Sequence, residues 1–245
     1  METLNHWTLT MGDGYYTRVA YIDFARAFDS VYHSKLIYKL SGLGISGLLA
    51  VLSSDLYERT QQVKIQDALS DSILIKSGVP QGSVLGPVLF VIYINELGSL
   101  FPESIKSKYF ADDAKMYSRI KCDADLDKFQ ESLDMLSDWA NLWQLSISVN
   151  KCCTMDISSN NKLSLDPNHC NSVANIDINN INQIRDLGVE VDSKLKFTAH
   201  ISKILSTAKQ RSSLLFRAFR TRETKYLITA YKSYILPLVE YCSPV

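Results

Sequence analysis

Apolar positions along this chain change period several times, and the changes mark out its elements. Val19-Ala20-Tyr21-Ile22 is a near-continuous apolar run, rich in β-formers, introduced by Arg18 and closed by Asp23. It predicts a buried strand. Residues 34–40 and 46–57 read as helices, each opened by a serine suited to an N-cap. Residues 63–65 and 72–76 predict short strands, paired as a hairpin around 67–71. Residues 87–97 predict a buried helix with Pro87 in its first turn. Two short apolar runs, 105–110 and 114–120, flank Asp112 and Asp113 and predict a strand, a tight turn and a returning strand. In 124–143, Leu126, Phe129, Leu133, Leu136, Trp139 and Trp143 recur at spacings of three and four, a helix whose aromatics face a core rather than stack on bases. Short strands are expected at 155–157 and 163–165. Residues 158–182 contain eight Asn, so a loop is predicted with a weak strand near 173–178. A second amphipathic helix is predicted over 200–220. Ile201, Ile204, Leu205, Ala208, Leu215, Phe216 and Phe219 form its apolar face; Lys203, Lys209, Arg217 and Arg220 form its basic face. A last helix, 225–236, ends at Pro237. Residues 1–16 are polar and show no period.

With 245 residues and 46% hydrophobic content, the chain can bury a substantial core. The longest apolar run, 84–94, is interrupted by Gly86 and Pro87 and is too short for a bilayer span of about 20 residues. The start of the chain carries no signal-peptide pattern, so an intracellular location, nucleus or cytoplasm, and no membrane partner are expected. The five cysteines include one adjacent pair and no C-x-x-C, which argues for free thiols rather than a disulfide framework or a zinc site. His169-Cys170 sits in the polar loop and is not read as a metal site. Net charge is zero but unevenly spread. Residues 194–225 hold nine Lys and Arg against Glu223 alone, +8, leaving −8 for the rest. A basic helical arm beside an acidic body suits contact with a phosphate backbone, although a solvated basic face is an equal alternative.

The acidic body holds the candidate chemistry. Adjacent carboxylates in a turn repel, and a nearby cation relieves them: Lys115 weakly, a divalent metal well. Asp23 lies 112 − 23 = 89 residues before Asp112, at the end of a buried strand, where a charge is costly unless paired or metal-bound. Between them runs Ser77-Gly78-Val79-Pro80-Gln81-Gly82-Ser83-Val84-Leu85-Gly86-Pro87, a loop of three Gly and two Pro that feeds an apolar helix.

Taken in order, Asp23-Phe24-Ala25-Arg26-Ala27-Phe28-Asp29, the 78–87 loop and Phe110-Ala111-Asp112-Asp113 resemble the successive palm motifs of a reverse transcriptase, most closely the non-LTR, jockey-like branch. Arg59-Thr60-Gln61-Gln62-Val63 resembles the segment between the first two motifs. Asn150-Lys151-Cys152 resembles the lysine-bearing fourth motif, Asp186-Leu187-Gly188-Val189 the primer-grip turn, and 234–241 a late thumb segment. The resemblance runs from about Tyr15 to the end.

It implies an α/β (α+β) polymerase palm, a mainly antiparallel sheet with helices on one face, followed by a partial helical thumb. Residues 1–16 would be lead-in, 17–193 palm, and 194–245 thumb. The fingers and the endonuclease segment of the parent polyprotein would lie outside this chain. The implied reaction is RNA-directed DNA synthesis, with an RNA template, a DNA primer and dNTPs as partners and two Mg²⁺ ions (or Mn²⁺) as cofactor. Asp23, Asp112, Asp113 and the carbonyl of Phe24 would bind metal, and Lys151 would protonate pyrophosphate. A surface lysine is the competing reading of Lys151. Phe28 would exclude a ribose 2′-hydroxyl, with a plain core residue as the alternative. Gln81, Gly82 and the backbone of Ala27 would contact the nucleotide, the glycine allowing close backbone approach. Leu187, Gly188, Lys203, Lys209, Arg217 and Arg220 would contact nucleic acid. Arg26 reads equally as a phosphate contact or a solvated side chain, and Asp29 as a turn or N-cap residue. Tyr32 and Glu96 replace the Pro and Asp more usual in the family. Two further classes compete: an inactive, truncated or domesticated remnant that at most binds nucleic acid, and another palm enzyme, an RNA-templated RNA polymerase or a nucleotidyl cyclase. Pro80-Gln81-Gly82 and Phe28 argue against the latter.

Overall fold

The structure, a computed structural model, describes residues 2–45, 56, 59–159, 170–220 and 223–243. Apart from Leu56, the predicted helix 46–57 lies outside the described residues, as does the predicted strand 163–165. The chain divides into two compact units. One runs over Thr17–Thr154 and resumes through the segment ending at Asn180. The other combines residues up to Tyr16, the stretch from Met155, and the chain from Ile181 onward. The charge change near residue 193 falls inside this second unit.

The first unit holds most of a five-stranded sheet of order β11-β8-β1-β7-β6. Its strands are β1 (Tyr16–Asp23), β6 (Lys106–Phe110), β7 (Asp113–Ile120), β8 (Cys153–Ile157) and β11 (Asn179–Asn180). β6 and β7 pair antiparallel, Phe110 opposite Asp113, while the short β11 runs parallel to β8. β1 is central and buried along nearly its whole length, as its unbroken apolar run requires. Arg18 is buried too, and its guanidinium donates to Asn171 Oδ1 at 3.1 Å.

Ala20 and Ile22 of β1 and Ala114 and Met116 of β7 join one apolar cluster with three helices, α2 (His33–Gly42), α3 (Leu85–Ile94) and α5 (Asp123–Trp143). Phe90, Leu133 and Phe129 are among its fully buried members. The short α4 (Leu97–Leu100) precedes β6. Helix α3 begins two residues before the expected Pro87 and stops at Ile94. Between α2 and α3, β2 (Thr60–Gln61) pairs with β5 (Ile73–Leu74), and β3 (Lys64–Ile65) with β4 (Ala68–Leu69). This is the expected hairpin with its tip earlier, at Gln66-Asp67, where Gln66 takes a left-handed φ of 54°. Every residue of its strands is exposed. In the expected weak strand, β9 (Ser172–Val173) and β10 (Ile176–Asp177) make a tight hairpin instead, with positive φ at both Ala174 and Asn175.

The second unit holds α1 (Glu2–Gly12), the hairpin β12 (Gln183–Asp186) and β13 (Val189–Asp192), α6 (Thr198–Ala218), α7 (Thr224–Tyr234) and α8 (Leu236–Glu240). Helix α1 was not expected. Only Trp7 and Thr10 of it are buried, too few to print a stripe on the sequence. Pro237 does not end a helix running to 236. It occupies the first turn of α8, where a missing N–H costs nothing.

Candidate active site

Side chains alternate faces along a strand. With Ala20 and Ile22 turned to the helical cluster, Asp23 faces the opposite side of the sheet. With Ala114 and Met116 turned the same way, so does Asp113. The two strands are hydrogen-bonded neighbours. Asp23 thus closes β1, and Asp113 opens β7, on one face. Asp112 sits in the turn before β7, half-buried, after Ala111 at φ 53°.

Backbone pairing brings the fourth element in. Ala25 N donates to Ser146 O and Ser148 N to Asp23 O, both at 2.8 Å, so 146–148 runs alongside 23–25. A 3₁₀ turn, Val149–Lys151, follows. It sets Lys151 Nζ 3.1 Å from Asp23 Oδ2. That oxygen is buried and lacks a properly aligned hydrogen bond. Lysine is thus the cation that offsets Asp23. Asp23 and Asp113 offer hard oxygen donors of the kind Mg²⁺ takes. Among the described residues, no three His, Cys, Asp or Glu converge as a metal cage. Any ion there would take one or two of these carboxylates and draw its other ligands from phosphate and water.

The loop before α3 is zipped to the turn after β1. Gly78 N donates to Val31 O, and Val79 N to Phe28 O, each at 2.8 Å. His33 Nε2 lies 2.8 Å from Gly78 O. The tight approach in this loop is at Gly86, where a Cβ would lie 2.6 Å from Pro80 O. At Gly82 a Cβ would meet no protein atom within 4 Å. Its φ of +79° is what calls for glycine. Gln81 Nε2 donates to Asp29 Oδ1 at 2.7 Å. Asp29 lies in a turn, and Tyr32 is the N-cap of α2, so the N-cap reading of Asp29 fails. The Phe28 ring packs on Phe90, centroids 4.7 Å apart, and remains part-exposed. Phe24 and Ala27 are buried.

Sequence reasoning missed a cluster behind the site. Lys39 Nζ lies 3.7 Å from the Trp143 ring centroid and 5.2 Å from those of Tyr93 and Trp139. It pairs with Glu96 Oε1 at 3.1 Å and donates to the Tyr93 carbonyl. Trp139 Nε1 donates to the same Glu96 oxygen at 2.6 Å, and Tyr93 hydroxyl to Trp143 O at 2.5 Å. Burial lowers the Lys39 pKa, opposed by Glu96, and pushes Tyr93 up to about 12. These contacts join α2, α3 and α5. The departure at Glu96 was the only signal in the sequence. Burial also pushes the Cys153 thiol up to about 11 and raises Cys152, so both stay protonated.

In the second unit, the expected Leu187-Gly188 turn is the tip of the β12–β13 hairpin, with φ of 45° and 89°. Tyr241 hydroxyl donates to Leu187 O at 2.6 Å, and its ring lies 3.3 Å from where a Gly188 Cβ would be. Lys203 pairs with Glu190 at 2.7 Å, a bond that holds Glu190 below the usual carboxylate range. Lys209, Arg217 and Arg220 are exposed, Arg220 beyond the end of α6.

A family model described as reverse transcriptase (RNA-dependent DNA polymerase) matches residues 7–227. The chain belongs to the reverse transcriptase family. It is 30% identical over 237 residues to the RNA-directed DNA polymerase from mobile element jockey of Drosophila melanogaster, covering 91% of this chain and 25% of that protein. It is 27% identical to a probable RNA-directed DNA polymerase from transposon X-element of the same species, covering 92% of this chain and 25% of that protein. This reverse transcriptase chain thus spans about a quarter of the length of these relatives. Its fold is similar to that of telomerase from Candida tropicalis, solved with a fragment of telomeric RNA. The TM-score is 0.58 at 11% identity, over 99% of this chain and 41% of the other.

Proposed function

We propose that this chain carries the palm and part of the thumb of a non-LTR retrotransposon polymerase, extending a DNA primer with dNTPs on an RNA template. One observation carries the reading: Asp23 and Asp113 share a sheet face on neighbouring strands, with Lys151 against Asp23. Asp23, Asp112 and Asp113, with the Phe24 carbonyl, would hold Mg²⁺ or Mn²⁺. A bound ion supplies Lewis acidity at the transferred phosphate and favours the ionised primer hydroxyl. Lys151, within reach of the same carboxylate, serves as proton donor to the departing pyrophosphate. Phe28, braced by Phe90, selects deoxyribose by its bulk. Gln81, steadied by Asp29, contacts the incoming nucleotide together with Gly82 and the Ala27 backbone. Leu187 and Gly188, with Lys209, Arg217 and Arg220, contact the duplex; Lys203 contributes less because Glu190 engages it.

A second reading is a remnant that binds nucleic acid without catalysis, through the exposed Lys209, Arg217 and Arg220. Primer extension on an RNA template with Mg²⁺ and dNTPs separates the two. Extension by the chain, abolished in Asp112→Asn, supports the polymerase. Equal signals from both chains, with template–primer still bound, leave the remnant.

A further inference from the structure

The loop before α3 is held at one peptide group, the bond between Gly78 and Val79. Its N–H is engaged, because Val79 N donates to Phe28 O at 2.8 Å. Its carbonyl is engaged too, by His33 Nε2 at 2.8 Å. A carbonyl oxygen only accepts, so that nitrogen carries the proton and donates. The preceding peptide is fastened separately, by Gly78 N to Val31 O. Gly78 holds a φ of +97°, and a Cβ there would lie 3.2 Å from Asp29 Cα. Val79 precedes a proline, which restricts it to extended backbone, and Pro80 has a fixed φ. Glycine has no such limit, so ψ of Gly78 is the free torsion of the loop. Rotation about it would carry away the Gly78 carbonyl and the Val79 N–H together, leaving the Gly78 N–H in place. His33 is the first residue of α2 and only 1% exposed. It therefore pins a hinge to a buried point of the helical layer. Farther along, Ser83 Oγ donates to Pro80 O at 2.7 Å and accepts from Gly86 N at 3.0 Å, which ties the other end of the loop to α3.

We propose that His33 is a positioning residue: its ring fixes ψ of Gly78 and so aims the 79–82 segment that presents Gln81. The task assigned to Gln81 rests on the polymerase reading, whereas the pinned hinge does not. A histidine that merely filled the core would behave differently when lost. It would loosen its surroundings evenly, without singling out one side of a glycine.

Native-state hydrogen exchange on the whole chain, read by NMR, tests this in the parent, His33→Leu and His33→Gln. In the parent, the His33 Nε2–H should give a slowly exchanging proton resonance. His33→Leu should speed exchange at the Val79 amide about tenfold, as loss of one part-buried hydrogen bond implies. The Gly78 amide, on the other side of the hinge, should keep its rate. His33→Gln carries an N–H at the reach of Nε2 and should restore protection at Val79. Where the parent extends a primer, His33→Leu should raise the dNTP KM about tenfold with kcat within about twofold, and His33→Gln should lower KM again. Equal acceleration at Gly78, Val79 and β1 is core loss alone and overturns the proposal. An unchanged Val79 rate overturns it as well, as does a parent without the Nε2 proton, a result that needs no variant to fold. Faster Val79 exchange with an unchanged KM refutes the aiming of Gln81. Failure of the parent to extend a primer counts against the polymerase reading, and the exchange rates still decide the hinge.

Discussion

Helices α5 and α6 each run for 21 residues, and both carry apolar positions at helical spacing. They meet different fates. Helix α5 buries eight residues, from Leu126 to Ala140, whereas α6 buries His200 alone. Ile201, Leu205 and Phe216, expected on its apolar face, stand about half exposed. An amphipathic pattern says which face a helix would bury. Whether anything covers that face depends on the rest of the fold. α5 lies against β7, β9 and α4, and its tryptophans enclose Lys39. α6 has contacts with β13, α7 and α8, which shield only part of its circumference.

The sharpest way to break this contrast is a matched pair of truncations. Leu133→Ala, at a fully buried position, should cost about 3 kcal/mol in denaturant unfolding. Leu205→Ala, at a position 53% exposed, should cost under about 0.5 kcal/mol. Equal losses would mean that the α6 face is covered in solution.

The Lys39 cluster comes next. Glu96→Ala leaves a buried ammonium and the Trp139 N–H without their carboxylate, and should cost about 2 kcal/mol. Lys39→Met keeps the volume and frees a half-exposed Glu96, so it should be nearly neutral. The pH dependence has a definite sign. The folded Lys39 pKa lies below the unfolded one, so the unfolded chain holds more protons between the two values. The parent's stability relative to Lys39→Met should therefore rise as pH climbs through the folded pKa. It should level off above the unfolded one. Urea melts from pH 8 to 11 would show the opposite slope if the ion pair outweighed burial.

In the second unit, Tyr241→Phe deletes the bond to Leu187 O and should cost about 1 kcal/mol or less. Faster amide exchange at the β12–β13 tip, with α7 unchanged, would locate the loss there. The smallest effect concerns charge. Lys209→Ala and Arg217→Ala should each reduce the salt dependence of nucleic-acid binding by about one phosphate's worth. Lys203→Ala should reduce it less, because Glu190 holds that ammonium. Equal slopes for all three would remove the distinction.

Much of the first unit was legible in the chain. The β6–β7 hairpin and α5 appear nearly as their periods foretell, since both bury one face against a shared core. The Leu187-Gly188 turn was legible from its motif, though its hairpin geometry was not. Helix α1 was illegible because two buried residues make no stripe, and the start of α8 was hidden because a proline opens a helix as readily as it ends one. Gly82 and Gly86 look alike in sequence. One answers to its φ, the other to a carbonyl brought within 2.6 Å by the fold.

By itself the sequence determined the family, the order of its motifs and the identity of the three candidate carboxylates, because strand and helix periods and motif residues are local properties of the chain. Only the tertiary structure decided that Lys151 stands against Asp23, that Lys39 is enclosed by aromatics, that His33 meets the Gly78 carbonyl, and that the α6 stripe stays exposed. Those outcomes depend on which distant segments meet. Burial, charge pairing and close packing are settled between segments, and no local period encodes them.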